Sequence, residues 1–216
     1  MHADTIGAVL AGGRGRRMGA DKPSLAVGRQ TLVRHAVDAL RSVGLGVALV
    51  LRPHQPVPLT AHTIAIVRDE IEDAGPLGGL EALLRWSPAE WVLVLACDQP
   101  LLTPSLLHEL LAQPRGEADA VVARPRDQLE PLPGLYRRTS LPAVGRALAR
   151  SECSLRDLLS ALRLRELPAG ALRRCDPQLL SFVNVNTPTD LEQARALVAH
   201  SASYRRLSGL PVGHRR

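Results

Sequence analysis

The sequence predicts an α/β protein, a mostly parallel sheet sandwiched between helices in three layers, with ligands at the carboxyl ends of the strands. Three observations predict it. Short apolar runs recur at strand length, segments with helical spacing lie between them, and a loop rich in glycine and arginine follows the first run without a break.

The strand-like runs cover residues 6–10, 46–51, 63–67, 91–96 and 118–123. Between them, Leu32, Val33, Ala36, Val37 and Leu40 form one helical stripe. Leu77, Leu80, Leu83 and Leu84 form a second, and Leu106, Leu107, Leu110 and Leu111 a third. Each recurs at the three- and four-residue spacing of one helix face.

Beyond Ala123 the pattern loosens. Residues 129–136 carry two prolines and read as an irregular strand at a sheet edge or as a return ribbon. A helix is expected over 139–149, a shorter one after Ser154, a strand over 162–167 and a last short strand over 182–185. Pro188 and Asp190 open a final helix reaching about His200. With no internal repeat or low-complexity linker, residues 1–200 read as one domain. Residues 201–216, with Arg205, Arg206, Arg215 and Arg216, read as a mobile basic tail.

Composition narrows the function classes. The 216 residues are 45% hydrophobic and 22% charged, as in an ordinary soluble domain. Aromatics make up only 2%, which argues against stacking platforms for single-stranded nucleic acid. The net charge of +6 would suit RNA or DNA, but its arginines are dispersed, and a small polyanionic substrate accounts for those in the loop equally well. Cys97, Cys153 and Cys175 are far apart and odd in number, without zinc or disulfide spacing, and suit a reducing cytoplasm. No apolar run has the length of a membrane span, and the N-terminus enters the first strand at once, leaving no room for a signal peptide.

The stretch Leu10-Ala-Gly-Gly-Arg-Gly-Arg-Arg-Met-Gly-Ala-Asp-Lys22 carries most of the chemistry. Gly12, Gly13, Gly15 and Gly19 allow close backbone approach to a ligand, and successive N–H groups can form an anion nest. Arg14, Arg16, Arg17 and Lys22 supply the cations a polyphosphate requires. The spacing is not that of a dinucleotide fingerprint, because Gly19 comes one residue late, and no Gly-Lys-Ser/Thr triplet marks a Walker loop. A tight basic surface turn would explain neither the preceding strand nor the Asp21-Lys22 ending.

Asp98 follows the run 91–96 and precedes Pro100, a place where a carboxylate can hold a divalent cation beside a phosphate; the alternative is a turn or capping aspartate. Neighbouring Cys97 reads as a small buried side chain, since no activating base accompanies it. Asp69 lies at another strand end, and Gly78 and Gly79 enter a helix where the backbone can pass close to a ligand. Asn184 and Asn186 fall on the same side of an extended segment, although asparagine in a turn is commonplace.

In order and approximate spacing, the glycine loop, residues 75–79, the Cys97-Asp98-Gln99-Pro100 turn and the Asn184-Val-Asn-Thr-Pro block resemble the molybdenum cofactor guanylyltransferase family of nucleotidyltransferases. The resemblance spans nearly the whole chain up to His200. It implies a Rossmann-like three-layer α/β/α fold that joins GMP from GTP to the phosphate of molybdopterin, or Mo-molybdopterin, and releases pyrophosphate. It implies that Leu10, Ala11, Gly12 and Gly13 line the GTP pocket, that Lys22 contacts the phosphates and that Asp69 helps fix the guanine nucleotide. Asp98 would hold Mg²⁺, while Asn184 and Asn186 would lie on the pterin side with Gly78 and Gly79. Proteins of molybdoenzyme maturation are the implied partners, with neither nucleic acid nor membrane among them. The chain departs from the family where an asparagine commonly follows the second strand, for here Arg52 and Pro53 follow Leu51.

The chemistry stands independently of the resemblance. A phosphate monoester, with a second pKa near ~6, is largely dianionic at neutral pH and attacks the α-phosphorus without a general base. The obstacle is bringing anions together: a unit-charge pair at ~4 Å and an effective dielectric of ~20 repels by roughly 4 kcal/mol. Lys22, Arg17 and a metal on Asp98 are placed to offset that. Rival readings are a molybdopterin cytidylyltransferase, another nucleotidyltransferase for a small phosphate acceptor, or a non-catalytic nucleotide-binding partner of molybdoenzyme maturation.

Overall fold

The computed structural model describes residues 3–12, 21–58, 64–151 and 154–207, with the backbone alone for 200–207. Its centre is a seven-stranded sheet ordered β5-β4-β1-β6-β8-β7-β9. These strands are β1 (Thr5–Leu10), β4 (Val47–Leu51), β5 (Ala65–Arg68), β6 (Trp91–Ala96), β7 (Ala120–Arg124), β8 (Glu130–Arg137) and β9 (Leu164–Pro168). A separate two-stranded ribbon pairs β2 (Ala26–Val27) with β3 (Gln30–Thr31). All sheet pairings are parallel except those of β8, which runs antiparallel to both neighbours.

Alternation along the strands makes two cores. Val9, Leu49, Leu51, Leu93 and Leu95 face α1 (Leu32–Ser42), α3 (Pro104–Ala112) and α6 (Ala169–Cys175). Ala8, Ala48, Val50, Val92 and Val94 face α2 (Gly75–Trp86), α4 (Leu141–Ala149) and α5 (Leu155–Leu159). Helices on both faces of a mostly parallel sheet make the three layers that the sequence predicts. Helix starts follow local chemistry: the Thr31, Thr103 and Ser154 side chains each accept a backbone N–H from the first turn they cap.

Three expectations need correction. Residues 129–136 do form the antiparallel return, but inside the sheet and not at its edge. The β6 ladder uses only residues 134–137, while Pro131 and Pro133 fall where the β7 register shifts, so their missing N–H groups break no regular pairing. Residues 182–185 are not a strand. A 3₁₀ turn, Leu180–Phe182, precedes an extended stretch whose Val185 N–H donates to the Asp98 carbonyl at 2.9 Å. The last helix, α7 (Pro188–Leu207), continues through Ser201, where the tail was expected to begin; residues 208–216 lie outside the described ones.

The chain runs from β1 outward through β4 to β5, then returns to place β6 on the other side of β1. That reversal opens a crevice at the carboxyl ends of β1 and β6. Leu10 is in register with both Val50 and Ala96, and Leu51 with Arg68. Gly12, Arg52, Asp69 and Asp98 therefore leave the sheet along one edge.

Candidate active site

A cleft of about 660 Å³ lies on that edge, a volume suited to a nucleotide. Leu10, Gly12, Lys22, Arg52, Asp69 and Asp98 are among its lining residues. Ala11 is fully buried beneath it and packs into the core.

At the β1/β6 end, Lys22 stands in a 3₁₀ turn, Lys22–Ser24, and is 9% exposed. Its ammonium donates to Asp98 Oδ2 at 2.7 Å and to Asn186 Oδ1 at 2.8 Å. The loop cation and the strand-end carboxylate, 76 residues apart in sequence, thus share one site. Asp98 Oδ1 is buried without a hydrogen-bond partner among the described residues. Cys97 is buried at the cleft wall, and burial with the Asp98 charge beside it pushes its thiol up to about 12. It is no nucleophile at neutral pH.

At the β4/β5 end, Asp69 is 9% exposed and Oδ1 accepts the Ile71 N–H at 3.1 Å. Burial raises its pKa, the charge of Glu81 adds to the rise, and the Ile71 bond opposes it. Arg52 follows β4, and its Nε is buried with no hydrogen-bond partner among the described residues. Gly12 makes room for the Arg52 stem, since a Cβ there would meet Arg52 Cγ at 3.3 Å.

Gly78 and Gly79 do not line the cleft. They are buried within α2, where a Cβ on Gly78 would meet Asp69 Oδ1 and Ala74 Cβ at 2.7 Å each. A Cβ on Gly79 would press on Leu10 and Val50. Their smallness lets α2 approach the sheet and Asp69. Asn184 and Asn186 are both exposed, and Asn186 turns its Oδ1 towards Lys22. Gly13 and Arg17 lie outside the described residues.

Sequence reasoning missed Gln55 and Arg68. Gln55 is buried, and its Nε2 donates to the Ala11 carbonyl at 2.9 Å and to Asp21 Oδ1 at 3.4 Å, tying together the two flanks of the glycine loop. The Arg68 guanidinium donates to the carbonyls of Arg52 and Gln55 at 2.8 and 2.7 Å, fixing the loop after β4. Their partners lie far along the chain or are backbone groups, so no local motif marks them.

A MobA-like NTP transferase domain model matches residues 7–167. The chain is 32% identical over 199 residues to a probable molybdenum cofactor guanylyltransferase of Pelotomaculum thermopropionicum, covering 92% of this chain and 96% of the relative. It is 30% identical over 188 residues to the molybdenum cofactor guanylyltransferase of Syntrophotalea carbinolica, covering 87% and 89%. The crystal structure of molybdopterin-guanine dinucleotide biosynthesis protein A from Archaeoglobus fulgidus superposes with a TM-score of 0.78 at 27% identity, covering 90% of this chain and 98% of that one. With this fold and this cleft, the chain belongs to the MobA-like NTP transferase family and is a nucleotidyltransferase.

Proposed function

We propose that the protein transfers GMP from GTP to the phosphate of molybdopterin, giving the guanine dinucleotide and pyrophosphate. The observation that carries this reading is the Lys22–Asp98–Asn186 cluster at the switch point, with Asp69 and Arg52 further along the same cleft. The names and coverage of the relatives support the choice of substrates.

In this reading an acceptor phosphate oxygen attacks the α-phosphorus, a P–O bond forms, and the bond to the β-phosphate oxygen breaks with its electron pair leaving on pyrophosphate. Lys22 neutralises charge on the phosphates, and Arg17 is assigned the same task. The backbone at Leu10, Ala11, Gly12 and Gly13 borders the nucleotide. Asp69 accepts from the N1–H and N2–H₂ edge of guanine, and Arg52 can donate to O6 and N7, a combination that adenine and cytosine do not match. Asn184 remains on the acceptor side.

Asp98 fits a magnesium ion. Its Oδ1 is a buried acceptor without a partner among the described residues, and Mg²⁺ characteristically takes one or two carboxylates and completes its shell with phosphate oxygens and water. Bound there, the ion would supply Lewis-acid stabilisation of phosphate charge.

No helix among the described residues is long and apolar enough to cross a membrane. A cytoplasmic location, a single domain over residues 1–200 and maturation proteins as recipients of the product belong to the same proposal.

The test is incubation of the purified chain with Mg²⁺, molybdopterin and either GTP or CTP, with mass identification of the product. The guanine dinucleotide and pyrophosphate are expected. A cytosine dinucleotide would transfer the reading to the cytidylyl enzyme, and binding without any product would transfer it to a non-catalytic partner.

A further inference from the structure

We infer that Asn186 is a positioning residue for Lys22, so that the segment leading into the last helix tunes triphosphate binding before any acceptor arrives. This rests on the nucleotide reading of the cleft. Asn186 Oδ1 takes a hydrogen bond from the Lys22 ammonium at 2.8 Å across 164 residues of sequence.

The contact is built, not incidental. Val185 N–H donates to the Asp98 carbonyl at 2.9 Å, which ties the segment to the turn that carries the other Lys22 partner. Asp190 Oδ2 accepts the N–H groups of Asn186 and Thr187 at 2.8 Å each, and Thr187 Oγ1 accepts the Asp190 N–H in return, a reciprocal helix cap. Those backbone bonds hold the Asp190 carboxyl below its usual range. A separate apolar cluster packs Val185, Leu191 and Ala194 against Val27 and Leu32, with Leu25 and Val198 against it. The chain just after Lys22 is therefore clamped to the chain around Asn186.

The two partners of the ammonium differ in what they do to it. Asp98 pairs with Lys22 and cancels the charge that a phosphate requires. Asn186 is neutral, so it fixes the direction of the ammonium while leaving the charge available. An ammonium on a four-carbon stem has much rotamer freedom to lose on meeting a phosphate, and an existing acceptor lowers that cost.

A double-mutant cycle tests this by calorimetric titration, without acceptor, using Mg-GTP and guanosine. Asn186→Ala is expected to weaken Mg-GTP about tenfold, the scale of one hydrogen bond to a charged group, and to leave guanosine binding unchanged. In a Lys22→Met background the same substitution should cause no further loss. An equal loss in both backgrounds, or no loss in either, would overturn the inference, because a merely structural role is additive. If Asn186→Ala does not fold, Asn186→Ser enters the same cycle under the same criteria. The parent chain separates the two claims: binding of Mg-CTP in place of Mg-GTP would sink the guanine reading while the cycle runs with CTP, and binding of neither would sink both.

Discussion

The two ends of the cleft present charge in opposite ways. At the carboxyl ends of β1 and β6, Lys22 is already shared between Asp98 and Asn186. At the ends of β4 and β5, the Arg52 Nε is buried and has no partner among the described residues, and Asp69 is buried with its pKa raised. Phosphates are strong enough ligands to displace an internal pair, so a closed cluster suits them. A base is told from its rivals by buried polar groups that a wrong base would leave unsatisfied, so open groups suit it.

Asp98→Ala strikes the closed end hardest. Turnover, read as pyrophosphate release, should fall about 10³-fold while GTP still binds weakly. Retention of full turnover would remove Asp98 from the chemistry. Lys22→Met should cost about 10²-fold in kcat/KM, with the loss in triphosphate affinity and not in guanosine affinity.

At the open end, Asp69→Asn should cut GTP affinity roughly 10- to 100-fold and leave tripolyphosphate binding intact. The pH dependence has a definite sign. Burial raises the Asp69 pKa above 3.8, so the folded chain holds that proton more tightly than the unfolded chain does. The stability gained this way is complete below the ordinary carboxylate value and is lost as pH rises through the folded value. Thermal unfolding near neutral pH should therefore show Asp69→Asn no less stable than the parent, while GTP affinity in the parent falls on acidification before ordinary carboxylates protonate. A smaller effect is expected of Gly78→Ala, whose Cβ presses on Asp69 and Ala74. Denaturant unfolding should report a loss of about 1–3 kcal/mol together with weaker guanosine binding.

The strands and the Lys22–Asp98 meeting were legible in the sequence because each depends on local pattern. Apolar runs mark the parallel strands, and residues just past a parallel strand converge on one edge wherever the helices between them end. Glycine was ambiguous at positions 78 and 79. Its letter says that a Cβ is unwelcome, not whether a ligand or a neighbouring helix and carboxylate would meet it. Val183 and Val185 read as a strand by composition, yet an extended segment with one bond to the Asp98 carbonyl needs no ladder. The central place of β8 was illegible because its two prolines suggested an edge, whereas the sheet takes them up at a register shift beyond the β6 ladder. Gln55 was invisible because its partners, Ala11 and Asp21, are distant in sequence.

The division of labour within the cleft is tested most directly by one set of calorimetric titrations. Lys22→Met and Asp69→Asn are each titrated with Mg-tripolyphosphate and with guanosine. The account predicts a crossover, in which Lys22→Met loses tripolyphosphate and keeps guanosine while Asp69→Asn does the reverse. Parallel loss of both ligands in both variants would contradict it.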